Sequence, residues 1–158
     1  MLSKAELHPA SNQSDYDTGM GMLALLGAAS GFGTLPLNHA VAVLHGALKT
    51  ENFRIYLGSN GRPSAAVIWA YLNEEAARDY ERKGLLKSLQ EWNSGDQLWF
   101  LHVIAEGGKV RAIMDDCLQD PLFEEFDCAY MLRAAPTGRR RIVRITRRGI
   151  KLVQSLSD

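Results

Sequence analysis

The period of apolar positions changes several times along the chain, and each change predicts an element. From Gly19 to Ser30 the run GMGMLALLGAAS is apolar almost throughout and predicts a short helix. GFGTLP then breaks it at Gly31, Gly33 and Pro36. In LNHAVAVLHGALKTE, Leu37, Val41, Leu44 and Leu48 recur at i, i+4, i+7 and i+11, one face of a second helix. His39 points away from that face and His45 lies on its border. NFRIYLGSNGRPSAAVIWAYL reads as a hairpin closed by a Ser-Asn-Gly-Arg-Pro turn. NEEAARDYERKGLLKSLQ reads as a helix with Asn73 as N-cap and two glutamates in its first turn. A strand follows from about Gln97 to Ala105. GKVRAIMDDCLQ predicts a helix that starts at a glycine pair, and FDCAYMLRAAP and RRRIVRITRRG predict two more strands. The order is helix, helix, strand, strand, helix, strand, helix, strand, strand. It predicts a mixed α/β domain with helices on a largely antiparallel sheet.

Composition fits that picture. The chain has 158 residues, of which 46% are hydrophobic and 23% charged, as in an ordinary globular domain. Residues 1–18 read as a poorly ordered lead-in without the apolar core of a signal peptide, and residues 19–158 as a single domain. No apolar run approaches the ~18 residues of a membrane span. Cys117 and Cys128 lack CxxC spacing and nearby histidines, which predicts reduced thiols and no metal site.

Net charge is zero but unevenly placed. Asp115, Asp116, Asp120, Glu124, Glu125 and Asp127 lie in a stretch without Lys or Arg. Arg133, Arg139, Arg140, Arg141, Arg144, Arg147, Arg148 and Lys151 follow in a stretch without acids. The basic run suits an acidic partner or a phosphate, and equally a solvated edge strand whose charges block aggregation. No aromatic residue interleaves it, which argues against nucleic acid.

Candidate chemistry centres on His102, in the middle of the strand WFLHVIAEGG. It alternates with Leu98, Phe100 and Ile104 on one strand face, with Trp99, Leu101, Val103 and Ala105 on the other. A histidine there is a core residue or a base. No Ser-His-Asp or Cys-His arrangement is legible, and Asp115–Asp116 suits a solvated helix face better than a glycosidase pair.

The segment EWNSGDQLWFLHVIAEGG resembles a signature of the RTX toxin-activating lysine acyltransferases, in which Trp-x-x-Gly-Asp-x-x-Trp precedes an apolar strand. The likeness covers about Gly19 to Ile104, including the Trp69-Ala70 strand end, and is looser beyond Gly108. It implies a GNAT-like fold, a cytoplasmic homodimer, and transfer of a fatty acyl group from acyl carrier protein to lysines of an RTX-type protein substrate. The co-substrate would be the carrier's phosphopantetheine thioester, with no permanently bound cofactor. Gly107, Gly108 and Lys109 at a helix start could receive its phosphate. The resemblance also implies a catalytic histidine just ahead of the second helix, assisted by an aspartate on the central strand. Aligning Pro36 puts the histidine position at Phe32, and aligning Trp92, Gly95, Asp96 and Trp99 puts the aspartate position at His102. His39 takes the histidine's place only with a shift that spoils the helix match. Either His102 works alone as the base, or the chain is a silent paralogue that keeps the carrier or substrate contact.

Overall fold

The computed structural model describes residues 3–105, 108–134 and 139–155, the last six by backbone alone. In chain order the elements are β1 (Ser3–Lys4), α1 (Gln13–Ala28), α2 (Leu37–Thr50), β2 (Phe53–Leu57), β3 (Pro63–Leu72), α3 (Glu74–Lys83), β4 (Gln97–Ala105), α4 (Val110–Gln119), β5 (Ala129–Ala134), β6 (Arg140–Thr146) and β7 (Gly149–Ser155). Short 3-10 turns cover Gly31–Thr34, Leu89–Trp92 and Pro121–Phe123. The strands are ordered β1 to β7 in the sheet. β1–β2, β2–β3, β5–β6 and β6–β7 pair antiparallel, and β4–β5 pairs parallel over Leu98–Phe100. This mixed, mostly antiparallel sheet with helices is the predicted class and is compatible with a GNAT-like fold. The chain divides into two compact units, Met1–Trp69 with His102–Ile113, and Ala70–Leu101 with Met114–Asp158.

In the first unit, α1 starts at Gln13 rather than Gly19. The Asn12 side chain accepts from the Ser14 and Asp15 N–H groups and so caps a polar first turn. Apolar periodicity marks only the buried part of a helix, so it missed this exposed start. On α2 the predicted face is half right. Leu44 and Leu48 are buried, but Leu37 is 80% exposed and Val41 47% exposed. The inward stripe continues instead from Val43 and Ala47 back to His39, at i−4 steps. The β2–β3 hairpin forms as predicted. Its turn has Gly61 at φ +72°, and Asn60 Oδ1 accepts from the Arg62 N–H at 3.0 Å. Ile55, Ala65, Ala66, Val67 and Ile68 are fully buried there.

In the second unit, Asn73 caps α3 by accepting from the Ala76 N–H at 2.8 Å. The helix ends at Lys83, well short of Gln90, because Gly84 adopts φ +67° and turns the chain out. β4 is buried on both faces from Leu98 to Leu101. RRRIVRITRRG becomes β6, which is not an edge strand: β5 pairs on one side and β7 on the other. Ile142, Val143 and Ile145 are buried while Arg141 and Arg144 are exposed. The register with β7 shifts between Ile142 and Val143.

Candidate active site

The Trp-Asn-Ser-Gly-Asp turn that precedes β4 is held by the end of β3. A Cβ on Gly95 would lie 2.5 Å from the backbone N and Cα of Asn73, so only glycine allows this approach. The Gly95 N–H donates to Tyr71 O at 3.1 Å, and the Asn73 N–H donates to Ser94 Oγ at 3.0 Å. Trp92 and Trp99 are buried, the latter donating from Nε1 to Gln97 Oε1 at 3.2 Å. Asp96 is exposed. These residues fix where β4 begins, and hence where its later residues stand.

Two residues past the last β4–β5 pair, in the first unit, stands His102. Its ring meets that of Phe32 edge to face, with centroids 4.9 Å apart and planes at 89°. Phe32 is put there by its own loop. Ser30 Oγ accepts from the Phe32 N–H at 3.2 Å and donates to Gly27 O at 3.0 Å. Gly27 makes the room, since a Cβ there would sit 2.6 Å from Phe32 Cδ1. The two positions that the sequence comparison paired, Phe32 and His102, are therefore in contact.

Burial pushes the His102 imidazole down to about 4, and a nearby His39 adds a push the same way. At neutral pH His102 is therefore uncharged. No described residue forms a hydrogen bond with its ring. His39 stands in the first turn of α2, and its Nε2 is buried without a hydrogen-bond partner. His45 is engaged elsewhere, hydrogen-bonded through Nδ1 to the Tyr16 hydroxyl at 2.7 Å. The arrangement provides an uncharged imidazole, a second imidazole whose nitrogen is unused, and an apolar wall.

Of the residues expected to hold a phosphate, Gly107 lies outside the described residues. Gly108 has φ +81°, and Lys109 begins the turn that leads into α4. Lys109 lines a groove of about 330 Å³ with Ser3, Leu57, Ser59, Ser64 and Ala112 among others. His102 does not line that groove. Among the described residues no group of His, Cys, Asp and Glu could hold a metal ion. No described helix is long and apolar enough to cross a membrane.

The sequence reading undervalued His39. The signal was its i, i+4, i+8 relation to Val43 and Ala47, which the leucine stripe masked. Two arginines of the basic run are also tied down. Arg140 donates to Arg82 O at 2.6 Å, and Arg147 donates to Leu118 O and Glu124 O at 3.4 and 3.2 Å.

A sheet of this class, with a half-buried imidazole packed against a buried aromatic ring, is compatible with a GNAT-like fold. Residues 12–147 match the model of the RTX toxin acyltransferase family (HlyC), and the chain belongs to that family. An uncharacterized protein of Synechocystis sp. is 26% identical over 93 residues, which are 58% of this chain and 63% of that protein. The chain thus spans a little under two thirds of the length of this relative.

Proposed function

We propose that this protein moves a fatty acyl group from an acyl carrier protein thioester to a lysine amine of an RTX-type protein, with His102 as the base. The observation that carries this reading is the contact of His102 with Phe32, which brings the two family pair positions together ring against ring. A free lysine is protonated at neutral pH, with a pKa near ~10.4, and must arrive as the neutral amine. Its nitrogen attacks the thioester carbon, so that the C–N bond forms and the C–S bond breaks. Once bonded to that carbon the nitrogen is far more acidic than a free ammonium. An uncharged imidazole can then accept its proton, and the departing thiolate recovers one. Burial keeps His102 in the form that accepts.

The groove beside Lys109, with Ser59 and Ser64, would receive the phosphopantetheine phosphate of the carrier. A homodimer in the cytoplasm completes the reading. Sedimentation of the purified protein tests the first, and fractionation of cells expressing it tests the second.

A second reading has its own observation: Phe32 stands at the position of the family's histidine and cannot take a proton. In that reading the chain is a silent paralogue that still grips carrier or substrate. Co-expression with an acyl carrier protein and an RTX-type substrate, followed by mass spectrometry of the substrate, separates the two. Lysine acylation that falls ~10²-fold or more in His102→Gln supports the first reading. Carrier binding without acylation supports the second, and acylation indifferent to His102→Gln removes His102 from the chemistry.

A further inference from the structure

The buried nitrogen of His39 has no role in the reaction as described so far. A polar atom shut away from water without a partner is costly, and a folded protein retains one where something else satisfies it. His39 lies in the first turn of α2, whose N-cap is Pro36. Pro36 offers no side-chain cap, so no side chain caps the first N–H groups of this helix of 14 residues. A helix start of that kind favours negative charge. The His39 side chain in that first turn is half-buried, and its Nε2 is closed off from solvent without a hydrogen-bond partner. His39 is also close enough to His102 for a charge on one to be felt by the other.

We propose that His39, through an Nε2–H at the uncapped start of α2, binds the oxygen of the thioester carbonyl as it becomes an oxyanion. This assignment deepens the acyltransferase reading and rests on it for the identity of the substrate. The roles are complementary. His102 accepts the proton that the amine loses, while His39 donates a hydrogen bond and keeps its own proton. The electron pair of the carbonyl moves onto oxygen when the C–N bond forms and returns when the C–S bond breaks. A donor already in place stabilises that oxygen more than water would. Phe32, itself buried, packs its ring against one side of His102.

The test compares His39→Leu with His39→Gln, whose side-chain amide restores a donor. In the acylation reaction, His39→Leu lowers kcat ~10²–10³-fold with little change in KM, and His39→Gln recovers most of the loss. A binding arm needs no turnover. The probes are a pantetheine-linked alkylphosphonate, which carries an oxyanion, and the matching thioether, which does not. The wild type prefers the phosphonate, His39→Leu loses that preference, and His39→Gln keeps it. Circular dichroism of both variants shows that they fold. An unchanged preference in His39→Leu, or no binding of either probe to the wild type, overturns the assignment. A wild type that acylates no lysine yet prefers the phosphonate in a His39-dependent way sinks the acyltransferase reading and leaves the His39 assignment standing.

Discussion

In the first unit, His102 has an aromatic ring for a neighbour and His39 has a buried nitrogen with no partner. In the second unit, Lys87 and Arg82 both donate to Asp79, and they hold its carboxyl down at about 2. Arg140 reaches the end of α3 at Arg82 O, and the buried Tyr80 hydroxyl donates to Leu101 O at 3.4 Å. The second unit thus closes its polar groups on one another, which fixes structure and leaves them little for a ligand. The first unit leaves the imidazoles of His39 and His102 without hydrogen bonds to other described residues, although His45 is engaged by Tyr16. Polar groups left without partners in an apolar setting are poor for stability and good for chemistry. The difference separates a scaffold from a site.

Acid should expose that difference most. The His102 imidazole lies well below its ordinary 6.5, at about 4. Between those values the unfolded chain binds a proton that the folded chain refuses. Stability is therefore full above pH 6.5 and is lost as pH falls toward 4, by up to roughly 3 kcal/mol. Asp79, by contrast, stays ionised until pH approaches 2 and adds little in this window. Urea unfolding at pH 7.5 and pH 4.5 measures the loss, and His102→Leu should flatten it. An equal slope in the variant would mean that the acid sensitivity comes from elsewhere.

Glycines sharpen the same contrast. Gly95→Ala sets a Cβ against the backbone of Asn73 at 2.5 Å, where nothing flexible can move aside. It should cost on the order of 1–3 kcal/mol or more. Gly31→Ala meets nothing within 4 Å and should change stability by less than about 0.5 kcal/mol. Denaturant midpoints check both. Gly27→Ala falls between, because the atom it strikes is the Phe32 ring rather than backbone. The ring must leave His102, at a net cost of about 1 kcal/mol after the gain in helix propensity. The readout that matters is the His102 titration followed by NMR. Its midpoint should rise toward the ordinary value as water reaches the ring.

The sequence carried the elements better than it carried the site. Strong patterns gave the β2–β3 hairpin, the Asn73 cap and the apolar β4, because burial on a strand and capping on a helix are local. The class of fold followed from their order. What failed was set by tertiary contacts. The α2 stripe through Leu37 and Val41 was read as inward, yet those two face out and His39 turns in. The basic run suited an acidic partner or a phosphate and, equally, an edge strand, and a seventh strand pairs where that edge would be. His102 was legible as the odd residue of its strand, and Phe32 as its counterpart in the family pattern. Their contact depends on Gly27 leaving space on a different helix, which no spacing in the chain reveals.

The smallest expected effect tests whether the second unit is only scaffold. Arg140 and Arg141 are adjacent in β6 and should differ. Arg140 donates to Arg82 O at 2.6 Å, so Arg140→Gln should cost about 0.5–1 kcal/mol in a denaturant titration. Arg141 is exposed, so Arg141→Gln should leave stability within about 0.5 kcal/mol. If the exposed arginines meet an acidic carrier protein, Arg141→Glu slows association, and the difference from wild type shrinks with added salt. Surface plasmon resonance at two ionic strengths measures this. Carrier association unchanged in Arg141→Glu, alongside a weakened fold in Arg140→Gln, would keep the second unit purely structural. A slowed association would give it a docking role of its own and break the division between scaffold and site.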